Sequence, residues 1–212
     1  TQAGLAASPA GRTCGLASIT AAAYLAATPV VGGLCDRPGV VGLFAKSGAG
    51  WGLLQPTLAP PPGSTGVEVL AIRSMGGQLA VLLGVSMDGA AQVVAAWTAD
   101  GGQSWTTPSG LPLGGSATIS SYGPVGGDGF FVLTSGSSGA ESLTVIDGPG
   151  ATWSRLVSPP ASTATIAAGT PDEIQAFSVK STVLTVWTLA PAAIAWQKTQ
   201  VLNVPIEFGS SS

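Results

Sequence analysis

The sequence predicts an all-β protein of many short antiparallel strands, and three observations carry that expectation. Glycine (31) and proline (16) are abundant while only 8% of residues are charged, against about 25% in an ordinary soluble chain. Short apolar runs alternate with two-residue turn signals, as at Gly76-Gly77 and Asp88-Gly89, the dipeptides that close tight hairpins. Tryptophan recurs at Trp51, Trp105, Trp153 and Trp196, with separations of 54, 48 and 43 residues. No segment sustains a helical period, so almost no helix is expected.

Each of these tryptophans closes a unit that reads as four short strands. The units run over about 14–60, 66–113, 116–159 and 163–204. Residues 14–212 are expected to form one domain, and residues 1–13, rich in alanine and glycine, a linker. The proline runs Pro60-Pro61-Pro62 and Pro159-Pro160 fall between units, where a crossing belongs. Repeats of this length are blade-sized. The predicted architecture is therefore a β-propeller of about four blades, each a four-stranded antiparallel sheet, with five blades as the alternative. Ring closure is expected from residues 205–212 together with the segment before Cys14. A second aromatic column, Trp97 and Trp187 with Phe44 and Val145 at the corresponding places, reads as inter-blade packing.

Composition excludes several function classes. An apolar fraction of 45% and a net charge of −3 argue against disorder. The seven basic residues are scattered singly, so no patch is set to displace counterions from nucleic acid or to hold an anionic membrane. No apolar run approaches the ~20 residues that span a bilayer; an export signal or membrane anchor removed upstream is the expectation. Cys14 and Cys35 are the only cysteines, and an even count in such a chain favours a disulfide and an oxidising compartment. Without histidine, neither a Ser/His/Asp triad nor a zinc site is available. No phosphate-binding glycine loop or nucleophile elbow occurs, and no cofactor is expected.

The stretch Thr98-Ala99-Asp100-Gly101-Gly102-Gln103-Ser104-Trp105 resembles the Asp-box turn of sialidase-type (BNR) repeat propellers. Thr98, Asp100, Gly102 and Trp105 match that pattern, and Asp147, Gly150 and Trp153 match it with one extra residue. The aspartate accepts backbone N–H bonds within the turn, glycine supplies positive φ, and tryptophan folds beneath. In the last unit the aspartate is gone and Pro191 stands in the turn. The resemblance implies a structural role at the outer rim for these residues. It does not extend to the sialidase active site. The arginine triad, the tyrosine–glutamate pair and the opening Arg-Ile-Pro motif have no counterpart here. The bias towards alanine, glycine, proline and valine points to a high-GC bacterial source and resembles exported actinobacterial proteins.

Ten acids remain to be weighed. Most fall in turns, including Asp172-Glu173 after Pro171. Glu68 lies within a first strand, which in a propeller lines the central channel, and is the leading candidate for ligand binding. Asp36 and Arg37 are secondary candidates. Arg73, five residues beyond Glu68, is expected on the opposite face of a regular strand. The predicted function is a non-catalytic, exported or cell-surface binding module for a polysaccharide, cell-wall or protein ligand. The alternatives are an assembly subunit of a larger extracellular or membrane-associated complex, and a glycan-processing enzyme.

Overall fold

The computed structural model describes residues 1–54, 57–160, 165–170, 173–190 and 193–203. It is all-β and antiparallel apart from two short helices. Sixteen strands pair consecutively as four meanders. The first contains β1 (Leu16–Leu25), β2 (Thr28–Cys35), β3 (Gly42–Ser47) and β4 (Gly50–Leu53). The second contains β5 (Ser64–Met75), β6 (Gln78–Met87), β7 (Ala90–Thr98) and β8 (Leu111–Leu113). The third contains β9 (Thr118–Val125), β10 (Gly129–Ser135), β11 (Glu141–Ile146) and β12 (Ser154–Arg155). The fourth contains β13 (Thr165–Thr170), β14 (Glu173–Lys180), β15 (Val183–Leu189) and β16 (Gln197–Asn203).

Local chemistry explains the hairpins. Gly76 and Gly77 both adopt positive φ (56° and 86°), so Met75 pairs directly with Gln78 across a two-residue turn. Asp88-Gly89 closes the next hairpin, where Met87 pairs with Ala90. Strands of the middle meanders read as nearly continuous buried runs, as in Leu79–Leu83 of β6 and Gly129–Leu133 of β10. Such runs belong to sheets covered on both faces. The edge strand β16 is exposed throughout and carries Gln197, Lys198, Thr199 and Gln200, polar side chains that protect an open edge.

The meanders stack face against face, and a separate apolar cluster fills each junction. Val30, Leu43 and Val69 belong to the cluster between the first and second. Leu82, Trp97, Phe130 and Ile146 join the second to the third. Phe131, Leu143, Ile174 and Leu189 join the third to the fourth. The four unit-closing tryptophans each pack against a different cluster. Trp105, Trp153 and Trp196 serve the three junctions in order, and Trp51 serves a fourth cluster formed with the N-terminal segment. Of the second aromatic column, Trp97 lies in the second junction and Trp187 packs against the third. Phe44 turns the other way, into the N-terminal cluster.

Polar ties run between the first strands of successive meanders. The Thr20 hydroxyl donates to the Val69 carbonyl (2.6 Å) and the Ser121 hydroxyl to the Ile166 carbonyl (2.8 Å). Between them, the Arg73 guanidinium donates to the carbonyls of Val125 (3.1 Å) and Gly126 (2.6 Å).

Three expectations are corrected. The described sheets number three rather than four, because a bridge between Leu34 and Glu68 fuses the first two meanders into one eight-stranded sheet. Glycine permits this approach: a Cβ on Gly32 would stand 2.3 Å from Val69 Cγ1. The described strands do not close into a ring. Residues 205–212, expected to help close one, lie outside the described residues, as does Pro191. Finally, residues 1–13, expected as a linker, are largely helical. They lie within helices α1 (Gln2–Ala6) and α2 (Pro9–Cys14), N-capped by the Thr1 and Ser8 hydroxyls. Alanine-rich composition suits this short helical pair, and its anchor is apolar: Leu5 is 1% exposed, packed with Cys14, Cys35 and Phe44.

Cys14 and Cys35 are disulfide-bonded, fixing α2 to the end of β2. Closure of this 21-residue separation is worth about 3 kcal/mol. Reduction is expected to lower the melting temperature by several degrees; calorimetry of oxidised and reduced protein checks this. Trp97 is 4% exposed and its indole N–H donates to the Asp128 carbonyl (2.8 Å). Trp97→Ala is expected to cost about 3–5 kcal/mol in denaturant unfolding.

Candidate functional site

Glu68 sits near the start of β5, opposite Gly84 of β6 and Leu34 of β2. Glu68 is half-buried, and the Leu70 side chain covers the Gly84 position, where an added Cβ would meet it at 3.4 Å. A cleft of about 230 Å³ lies beside them, lined by Leu34, Glu68, Leu70, Ser86, Gln92 and Ile119. It lies where the first three meanders meet. Its walls are aliphatic, and its polar side chains are one carboxylate, one amide and one hydroxyl. The Gln92 amide nitrogen has only the Met87 thioether at 3.9 Å, a weak acceptor.

The bulge in β5 changes which residues share a face. The register shifts between Val69 and Ala71, so Glu68 pairs with Gly84 and Arg73 with Ala80. Residues 80 and 84 of β6 are on the same face. Arg73 therefore shares Glu68's face instead of opposing it, and reaches the third meander from there. The single extra residue of a bulge flips every later side chain, and nothing in the sequence of β5 marks its position.

Asp36 and Arg37 are exposed and do not line this cleft. Their backbone amides donate to the carbonyls of Gly15 (3.0 Å) and Cys14 (3.2 Å). They thus form the turn that holds the helical segment against β2, beside the disulfide.

The turn at Thr98–Trp105 is closed by one aspartate. The Thr98 hydroxyl (2.7 Å) and the backbone amides of Gln103 and Ser104 (both 2.9 Å) donate to Asp100 Oδ1. The Ser104 hydroxyl donates to Oδ2 at 2.5 Å. Gly101 and Gly102 take positive φ (73° and 95°). The Gly102 carbonyl accepts from the Thr57 hydroxyl, which seats the turn against the connection between the first two meanders. The Asp147 turn is built differently. The Ala151 amide donates to the Gly148 carbonyl (3.2 Å), the positive φ (113°) belongs to Gly148 rather than Gly150, and no bond to the Asp147 carboxylate forms among the described residues. The extra residue, within Gly148-Pro149-Gly150, moves the aspartate off the amides that Asp100 reaches.

Among the described residues Glu68 is the one carboxylate that lines this cleft, where hydrolysis of a glycosidic bond ordinarily uses two that flank it. Among the described residues no group of three metal-ligating side chains is assembled.

Hydrogen bonds from the Ser104 side chain, the Ser104 amide and the Thr98 hydroxyl hold the Asp100 carboxyl well below the ordinary aspartate range. A lowered carboxyl contributes stability above the unfolded-state value, about pH 4, and loses it as pH falls towards the folded-state value. Asp100→Asn is therefore expected to lower the melting temperature at pH 7, with the difference from the parent shrinking below about pH 4. A melting series from pH 7 to pH 3 checks it.

No protein-family model matches the chain, and no curated protein matches it. Two solved structures share the fold. They are AofleA from Arthrobotrys oligospora and a variant of the same protein with three arginines replaced by alanine. Each is 14% identical, with a TM-score of 0.53, over 90% of this chain and 59% of the other. The chain thus spans about three-fifths of the length of that protein, and at this identity the likeness is one of fold.

Proposed function

We propose that this chain is an exported, non-catalytic binding module of β-propeller type, related to the Asp-box repeats, whose ligand is a carbohydrate held in the Glu68 cleft. The observation that carries the reading is a half-buried glutamate that has no ion-pair partner among the described residues and lines a cleft with aliphatic walls. Sugars present rows of O–H donors between apolar C–H faces. A carboxylate and an amide beside aliphatic walls complement that pattern. The row of blade-like meanders supports the propeller reading, and the disulfide supports an oxidising, extracellular setting.

The experiment is calorimetric titration of the purified protein with a panel of neutral soluble oligosaccharides, repeated on Glu68→Gln. Removing a charged acceptor is expected to weaken binding about tenfold or more. Retention of no saccharide, or equal binding by Glu68→Gln, would reject the assignment.

A second reading, an assembly subunit, is favoured by one observation. The fourth meander exposes Val179 (58%) and Leu202 (47%) in one cross-strand row through Leu184, apolar surface suited to a protein partner. Light scattering showing a stable oligomer would favour it; a monomer that binds sugar would not.

A further inference from the structure

The junctions between meanders are not filled alike, and the difference exposes a second cleft. At the rim of the second junction Arg73, Ala80 and Trp97 stand side by side across three strands. Arg73 donates to the Val125 and Gly126 carbonyls and Trp97 to the Asp128 carbonyl. These side chains plug the space, leaving a cavity of only about 10 Å³. The corresponding cross-strand row in the third meander is Gly123, Phe131 and Val145. Gly123 contributes no side chain there, and a Cβ on it would already meet the Phe131 ring at 3.0 Å. A cavity of about 270 Å³ lies at the third junction, bordered from this meander by Val125 and Val145 rather than by Gly123 or Phe131.

The walls of that cavity are Val125, Val145, Leu156, Ile174 and Leu189, with Ser154, Asp147 and Glu173 as its polar side chains. No basic residue lines it. Among the described residues Glu173 accepts one bond, from the Gln175 amide (3.2 Å), and the exposed Asp147 carboxylate has no partner. Where a guanidinium and an indole line the small cavity of the second junction, the lining of this one has apolar walls and two carboxylates, with no cation among the described lining residues. We propose that this cleft is a second carbohydrate site, specific for a protonated amino sugar. Its ammonium group sits between Asp147 and Glu173, and its ring C–H face lies on the aliphatic walls. Charge-assisted bonds to two carboxylates give selectivity for the amine. The acidic balance of the chain, with a sequence pI near 4.6, favours approach of a cationic glycan. The proposal rests on the carbohydrate reading above but uses a different cleft.

The test is titration with a glucosamine tetramer, its N-acetylated counterpart and a neutral glucose tetramer. The proteins are the parent, Asp147→Asn/Glu173→Gln, Ser154→Trp and Glu68→Gln. Ser154 is exposed on β12, so its replacement obstructs the cleft without entering the core. The expected result is binding of the glucosamine tetramer that weakens with added salt. It drops at least about tenfold in the Asp147/Glu173 and Ser154 variants, and persists in Glu68→Gln. Equal binding of the N-acetylated tetramer, or loss only in Glu68→Gln, overturns the proposal. Cleavage of the tetramer overturns it too, by making the carboxylate pair catalytic. Neutral saccharide binding through Glu68 without glucosamine binding overturns this inference alone. No binding of any saccharide overturns both.

Discussion

Burial of apolar surface between successive sheets is the constraint on which the rest of this structure depends. A pair of strands alone is marginal in water, and a sheet with apolar faces persists when those faces are packed. Here each of the two middle meanders is apolar on both faces and is completed only by its neighbours on either side. That requirement accounts for the low charge content. Strands sandwiched between other sheets have no polar face to offer, so Leu79–Leu83 and Gly129–Leu133 lose the alternation of a half-exposed strand. It also accounts for the tryptophans. Each junction buries at least one indole: Trp105 in the first, Trp97 and Trp153 in the second, Trp187 and Trp196 in the third.

Much of this was legible because its causes are local. Turn glycines at 76, 77 and 89 announce hairpins through their dihedral requirement, and the tryptophan spacing marks where each meander ends. The Asp100 turn is readable because the hydrogen bonds to its carboxylate all lie within seven residues. What was not legible depends on encounters between distant segments. The bridge from Leu34 to Glu68 turns on the absence of a side chain at Gly32, and its partner Val69 is 37 residues away. The bulge that brings Arg73 to Glu68's face has no sequence mark. The helical N-terminal segment was missed because Thr1–Gly15 holds too little apolar periodicity to show a helix, and its order comes from Leu5 and the disulfide.

The candidate sites divide along the same line. Glu68 could be singled out because a lone acid inside an otherwise apolar strand is visible in one dimension. The carboxylates of the second cleft could not. Asp147 belongs to one turn and Glu173 to the start of another strand, 26 residues on. Only the comparison of two junctions, one plugged by Arg73 and Trp97 and one not, reveals the space they border. Val145 had been aligned with Trp97 in the sequence. The consequence of that exchange for volume appears only once both rows face their neighbours.

The helical pair over the first meander has a consequence for self-association. A row of stacked sheets has two terminal faces, and two unlike faces that complement each other would let molecules add head to tail without limit. The disulfide-tethered helices cover one of those faces. That end of the row is therefore presented as a helical surface held in place by a cystine, whereas the opposite end presents the bare strands of the fourth meander.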